Sequence, residues 1–131
     1  MQLGARRAPA TRGGTNRTEE RYRREFLAPL EAAGAVVTFE PCLTFPVSRC
    51  KYSPDFGVTF PDGRVEYHEV KGDWYGKKGY GEDGWIKFKV AGAFFPEPVF
   101  VFAKLVKKQW QVQRWRGGFP IKEPKAKKGK R

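Results

Sequence analysis

Residues 52–71 read YSPDFGVTFPDGRVEYHEVK, and this stretch decides the fold. Phe56, Val58 and Phe60 alternate with Asp55, Gly57 and Thr59, which predicts a strand over 52–60; a second strand is predicted over 64–71. Pro61-Asp62-Gly63 joins them. Proline at the first turn position, aspartate at the second and glycine in the left-handed position suit a three-residue hairpin loop with a G1 bulge. Counting back from that loop, Thr59 faces Val65, Gly57 faces Tyr67 and Asp55 faces Glu69. The two carboxylates become direct cross-strand neighbours, with Cβ atoms ~5 Å apart. Lys71 projects from the same face, two residues beyond Glu69, and His68 points to the opposite one. A two-residue loop would instead set Asp55 and Glu69 on opposite faces.

Upstream, Asn16-Arg17-Thr18-Glu19 matches a helix capping box. Tyr22, Phe26, Leu27, Leu30 and Ala33 recur at helical spacing until Gly34, with a kink or break expected at Pro29. Glu19, Tyr22 and Phe26 share one face, which turns Glu19 inward; Glu20 falls on a more exposed face. Val36–Phe39 reads as a short strand, and Leu43, Phe45 and Val47 as a strand edge. Downstream, residues 72–84 lack periodicity and read as a loop mixing Trp74, Tyr75 and Tyr80 with Lys77 and Lys78. Asp83 is expected to cap a helix from about Gly84 to Phe95, with Trp85, Phe88, Ala91, Gly92 and Phe95 on one face. Residues 98–105 read as a buried strand and 109–116 as a polar-faced one.

The chain has 131 residues, which sets the expectation of one domain. Residues 1–15 read as a flexible basic arm with Arg6, Arg7 and Arg12, 16–120 as the folded domain, and 121–131 as a basic, disordered tail. Lys+Arg number 26 against 14 Asp+Glu, a formal net charge of +12, which favours a polyanionic partner and first of all nucleic acid. No apolar run reaches the ~18 residues of a membrane helix, and the N-terminus has no signal-peptide core, so no membrane association and a cytoplasmic location are expected. Cys42 and Cys50, with His68 as a further candidate ligand, are too few for a structural zinc finger and read as two thiols. One histidine also removes the nucleases built on paired histidines, and no Gly-x-Ser-x-Gly elbow is present.

Two carboxylates opposed on one sheet face repel each other, and a divalent cation is the usual way to offset that. Magnesium takes oxygen ligands, few of them from protein. With Lys71 beside the pair to hold a phosphate or orient a water, these are the parts needed for phosphodiester hydrolysis.

Pro54-Asp55 followed by Glu69-Val70-Lys71 resembles the PD-(D/E)XK nuclease signature. The expected order of helix, three strands, helix and strand over roughly residues 16–116 is similar to that superfamily's core. The overall shape resembles the small Holliday-junction resolvases of the phage endonuclease I and archaeal Hjc kind. The resemblance implies an α/β restriction-endonuclease-like fold (αβββαβ), a mixed central sheet flanked by helices in a single domain. It implies Mg²⁺ as cofactor, with Mn²⁺ also supporting activity, bound by Asp55, Glu69 and the Val70 backbone carbonyl. Lys71 would be the catalytic lysine and Glu19 a supporting metal or water ligand, although the capping box alone explains Glu19. Lys87 or Lys89 on the second helix would meet the phosphate, and a solvated basic face explains them equally. Lys77, Lys78, Arg6, Arg7 and Arg12 are further candidates for DNA contact.

The function expected from this resemblance is an Mg²⁺-dependent, structure-selective DNA endonuclease, a Holliday-junction resolvase acting on four-way junctions as a homodimer, in the host cytoplasm if phage-encoded. One alternative is a nicking, flap or single-strand nuclease of the same superfamily, or a restriction-like enzyme. Another is a basic nucleic-acid-binding or RNA-associated protein without catalysis.

Overall fold

The computed structural model describes residues 17–47, 49–72 and 82–122, with the backbone alone at Glu82 and Asp83. It is a single mixed α/β domain whose six-stranded sheet has the order β1-β4-β5-β6-β7-β8. The strands are β1 (Val36–Phe39), β4 (Phe56–Thr59), β5 (Val65–Lys71), β6 (Val99–Val106), β7 (Gln109–Arg116) and β8 (Phe119–Pro120). β2 (Leu43–Thr44) and β3 (Lys51–Tyr52) form a separate small hairpin. The first helix runs as α1 (Arg17–Tyr22), a π turn (Arg23–Leu27) and α2 (Ala28–Ala32); the second is α3 (Glu82–Phe94). Pairing is antiparallel throughout the sheet except between β5 and β6, which are parallel. A parallel pair needs a long crossover, and α3 lies within it.

The sheet carries a core on each face. On one, Tyr22 and Leu27 of the first helix meet Phe56, Val58, Val70 and Ala103. On the other, Phe88 and Ala91 of α3 meet Phe45, Tyr52, Phe100, Phe102 and Trp115. Tyr22, Leu27, Phe88 and Phe100 are fully buried, each worth about 1.5–3 kcal/mol of transfer free energy. The strand alternation read from the sequence assigns these side chains to their faces.

The hairpin register is the expected one: Thr59 pairs Val65, Gly57 pairs Tyr67 and Phe56 pairs His68. Gly63 N–H donates to the Phe60 carbonyl at 2.9 Å, and Phe60 N–H donates to the Arg64 carbonyl at 2.9 Å. Gly63 has φ +96°, the left-handed residue that a G1 bulge requires. Gly57 is fixed by crowding, since a Cβ there would stand 2.8 Å from Thr38 Oγ1.

Several local expectations are corrected. The predicted strand over 52–60 is broken at Ser53-Pro54-Asp55, so Tyr52 belongs to β3 and β4 begins at Phe56. Pro29 does not break the first helix. It has no N–H and its ring crowds the carbonyl four residues back, and the helix widens into a π turn just before it. Ala28 N–H accordingly donates to the Arg23 carbonyl, five residues back. The wider turn shifts the helical phase, so Tyr22 and Leu27 are buried while Phe26 is 37% exposed. Asp83 lies inside α3, which already starts at Glu82, and is therefore not its N-cap. The expected cap Asn16 lies outside the described residues.

Candidate active site at the end of the β4–β5 hairpin

Extending the observed register by one pair sets Asp55 opposite Glu69, and by two sets Pro54 opposite Val70. Pro54 has no N–H to offer the Val70 carbonyl. Val70 N–H donates to Asp55 Oδ2 at 2.8 Å, so the aspartate side chain closes the end of the sheet where the strand stops. In a β-strand the N–H and C=O of one residue point to the same edge. The Val70 carbonyl therefore projects from the edge of β5 that carries Asp55.

Glu69 is 6% exposed and held by two groups. The Tyr52 hydroxyl donates to Oε1 at 2.5 Å, and Lys71 Nζ stands 3.2 Å from Oε2. Burial holds the Tyr52 hydroxyl far above its ordinary pKa, helped by the charge of Glu69, so it remains a donor. Burial raises the pKa of Asp55 well above the usual carboxylate range, and the charges of Glu69 and then Glu19 add to it. The hydrogen bond from Val70 and the Lys71 ammonium oppose that rise without cancelling it. Glu69 is also raised, again by burial, against the lowering effects of Lys71 and Tyr52. Two carboxylates whose charged forms are both disfavoured form a site that gains from a nearby cation.

The structure brings Asp55, Glu69, Val70 and Lys71 together at one end of the sheet. Glu19 lies half-buried on α1 and acts on Asp55 through its charge, while Glu20 is exposed. Among the described residues, no three His, Cys, Asp or Glu side chains converge as a ligand set for a metal ion. Lys87 is half-buried on α3, and Lys89 is exposed with its ammonium 4.9 Å from the centre of the Trp85 ring. Arg6, Arg7, Arg12, Lys77 and Lys78 lie outside the described residues, as do Trp74, Tyr75 and Tyr80. Cys42 and Cys50 are free thiols.

His68 faces away from this site and belongs to a buried chain on the other side of the sheet. Its Nδ1 meets the Tyr22 hydroxyl at 2.6 Å, and its Nε2 meets Glu66 Oε1 at 3.0 Å. Arg114 Nη2 donates to Glu66 Oε2 at 2.7 Å. Burial alone would raise the pKa of Glu66, but the hydrogen bonds from His68 and Arg114 outweigh it and hold the carboxyl below its usual range. This chain ties α1, β5 and β7 together and gives His68 a structural role.

Two contributors were missed in the sequence. Tyr52 and Asp55 are three residues apart, which in a continuous strand puts them on opposite faces. The break at Ser53–Asp55 turns Tyr52 back onto Glu69, and only the Ser-Pro dipeptide signalled it. Gly84, in the first turn of α3, is the other. A Cβ there would lie 3.4 Å from Lys71 Nζ and 3.8 Å from Glu69 Oε2, so the helix packs directly beside the charged groups. No model of a protein family, no curated protein and no solved structure matches this chain.

Proposed function

We propose that this protein is a Mg²⁺-dependent DNA endonuclease of the restriction-endonuclease-like kind, with Asp55, Glu69 and Lys71 as its catalytic residues. The observation that carries the reading is the pair of carboxylates at the end of one hairpin, Glu69 buried and Asp55 half-buried, both with raised pKa values and a lysine 3.2 Å from Glu69. The sheet order and the single parallel pair flanking α3 are compatible with that fold.

The donor chemistry fits Mg²⁺. Carboxylate and carbonyl oxygens are hard ligands, and magnesium uses few protein groups while keeping water and substrate phosphate for the rest. Asp55, Glu69 and the Val70 carbonyl would hold it. There it would supply positive charge to the scissile phosphate and make water acidic enough to attack at neutral pH. The protein's own groups do the remainder. Val70 N–H fixes the Asp55 carboxylate, and the Tyr52 hydroxyl fixes Glu69. The Lys71 ammonium exchanges its contact with Glu69 for a phosphate oxygen and stabilises the charge developing there. Glu19 adds negative charge on the α1 side, which strengthens cation binding and orients water.

The finer reading is a Holliday-junction resolvase. Symmetric cutting of a four-way junction needs two sites related by a two-fold axis, so this reading includes a homodimer. Its supports are the size, the basic charge and the sequence resemblance. The test is a gel assay of a fixed four-way junction with Mg²⁺ or EDTA, alongside flap, nicked and single-stranded DNA. Paired symmetric incisions in the junction, lost in Asp55→Asn and Glu69→Gln with binding kept, are the expected result. Incision of the other substrates alone leaves the nuclease and removes the resolvase.

A second reading is a basic nucleic-acid-binding protein without catalysis. It is favoured by the hydrogen bond of Asp55 to Val70 and the ion pair of Glu69 with Lys71, which give both carboxylates structural roles. Absence of metal-dependent cleavage on every substrate, with salt-sensitive binding intact, would select it.

A further inference from the structure

A cleft of about 460 Å³ takes no part in the chemistry above. It is lined by Trp85 of α3, Phe102 and Lys104 of β6, and Gln111 and Gln113 of β7. Sheet register sets it beside the carboxylate site. Glu69 pairs Phe102, which pairs Gln113, and Lys71 pairs Lys104, which pairs Gln111. All six side chains therefore project from the α3 face, in two rows running across the sheet. Adjacent strands lie ~4.8 Å apart, so Lys104 starts about one strand spacing from Lys71 and Gln111 about two.

We propose that this cleft holds one unpaired nucleotide of the DNA strand being cut, next to the scissile phosphate. The inference rests on the nuclease reading and names the substrate feature the site would select. The volume suits a ligand the size of a nucleotide and cannot admit a duplex. Trp85, half-buried and edge-on to the buried Phe102, supplies aromatic surface, which attracts a base only when it is unstacked from its neighbours. Gln111 offers a carbonyl acceptor and an amide donor, the combination that meets the edge of a base, and Gln113, whose Oε1 already accepts from Trp115 Nε1 at 3.2 Å, offers its amide donors and a second lone pair. Lys104 adds positive charge beside Lys71, in line with a second backbone phosphate. An apolar occupant is disfavoured because the cleft floor carries two amides and an ammonium. The pattern of β7 gives the reason for the opening. Trp110 packs against the core on the far face and Arg114 bonds Glu66, whereas α3 covers Trp115 and leaves Gln111 and Gln113 exposed.

The test uses the full chain carrying Asp55→Asn, so that binding is read without cleavage. Fluorescence anisotropy compares a labelled oligothymidylate with a blunt duplex of equal length at one salt concentration. Gln111→Ala combined with Gln113→Ala should weaken oligothymidylate binding about tenfold and leave duplex binding within about twofold. Both positions are exposed, and an unchanged melting curve confirms folding. In the protein with both glutamines intact, an oligothymidylate carrying one 5-iodouracil should photocrosslink to Trp85. Equal losses on both probes, no loss on either, or a crosslink mapping away from the cleft would overturn the proposal. The two readings fail separately. Absence of Mg²⁺-dependent cleavage with the selective loss intact removes the nuclease and supports the cleft as a single-strand subsite; cleavage without the selective loss removes the cleft.

Discussion

Asp55 shows how a single residue can serve the fold and the site at once. Its Oδ2 accepts the Val70 N–H at the point where β4 ends. Its carboxyl is nevertheless held well above the ordinary value of 3.8 by burial and by Glu69 and Glu19. A raised folded pKa means that the folded state binds the proton more tightly than the unfolded chain. The stability contributed by Asp55 and Glu69 is therefore fully present below the ordinary carboxylate values and is lost as pH rises through their raised folded values. Metal-free protein should lose melting temperature as pH rises from 5 to 8. Asp55→Asn should flatten that slope and raise the melting temperature at pH 8 by a few degrees, roughly what 1 kcal/mol gives in a domain of this size. Added Mg²⁺ should restore the wild type at pH 8 and leave Asp55→Asn nearly unchanged. Calorimetry at the two pH values, with and without Mg²⁺, checks each part. Glu66 works in the opposite direction. Its lowered pKa contributes stability above the ordinary value of 4.5 that is lost as pH falls through the folded value, so the optimum lies between the two effects. Tyr52→Phe removes the hydrogen bond to a buried carboxylate and should cost about 1.5–3 kcal/mol in urea unfolding. It should also move the Mg²⁺ titration midpoint to higher concentration.

The β4–β5 hairpin turns a loop length into the geometry of the carboxylate pair. The three-residue loop gives the pairing of Phe56 with His68 and hence Asp55 opposite Glu69. Side chains alternate with period two, so removing one residue of β4 while keeping the loop transfers its carboxylate to the other face. Deletion of Thr59, which would bring Asp55 opposite His68, should therefore abolish cleavage. Gly63→Ala should not, because a Cβ there meets nothing within 4 Å and the only cost is left-handed backbone at φ +96°. That cost is about 1–2 kcal/mol. Measuring denaturation and cleavage on both variants separates loop strain from register. The first helix makes a related point. Its π turn moves the buried position from Phe26 to Leu27, so a helical wheel drawn at constant pitch assigns the wrong aromatic to the core.

At the scale of the molecule, charge would govern the encounter with DNA that the proposed function requires. A net charge of +12 on 131 residues gives attraction to phosphate that requires no particular fold. Each phosphate neutralised on duplex DNA contributes about −0.9 to the slope of log K against log salt. A dimer using several basic residues per subunit should show a slope of roughly −5 or steeper. Removing residues 1–12 and 122–131 deletes basic residues at both ends, and the slope should become shallower in binding titrations at two or more salt concentrations. Preference for a junction over linear duplex should survive, because a fixed spacing between two sites would supply it. Loss of that preference with cleavage of plain DNA retained would make the ends the recognition element and the protein a general nuclease.

The sequence by itself determined the hairpin, its register and the shared face of Asp55, Glu69 and Lys71. These depend on turn chemistry and period-two alternation, which are local. It also determined the strands at Val36–Phe39 and Gln109–Arg116 and the face of α3 that meets the sheet, since burial periodicity is written into consecutive residues. The tertiary structure decided what no local rule encodes. Tyr52 reaches Glu69 because the chain breaks at Pro54 and folds the β2–β3 hairpin back over the site. Gly84 lies against Lys71 because α3 crosses from β5 to β6 over that end of the sheet. The buried chain from Tyr22 through His68 and Glu66 to Arg114 joins residues up to 92 positions apart, 114 minus 22. The cleft beside the carboxylates exists because two glutamines on β7 come to lie, strand by strand, in the rows of Glu69 and Lys71. Such contacts depend on strand order and on helix placement, which are set by how the whole chain buries its apolar surface.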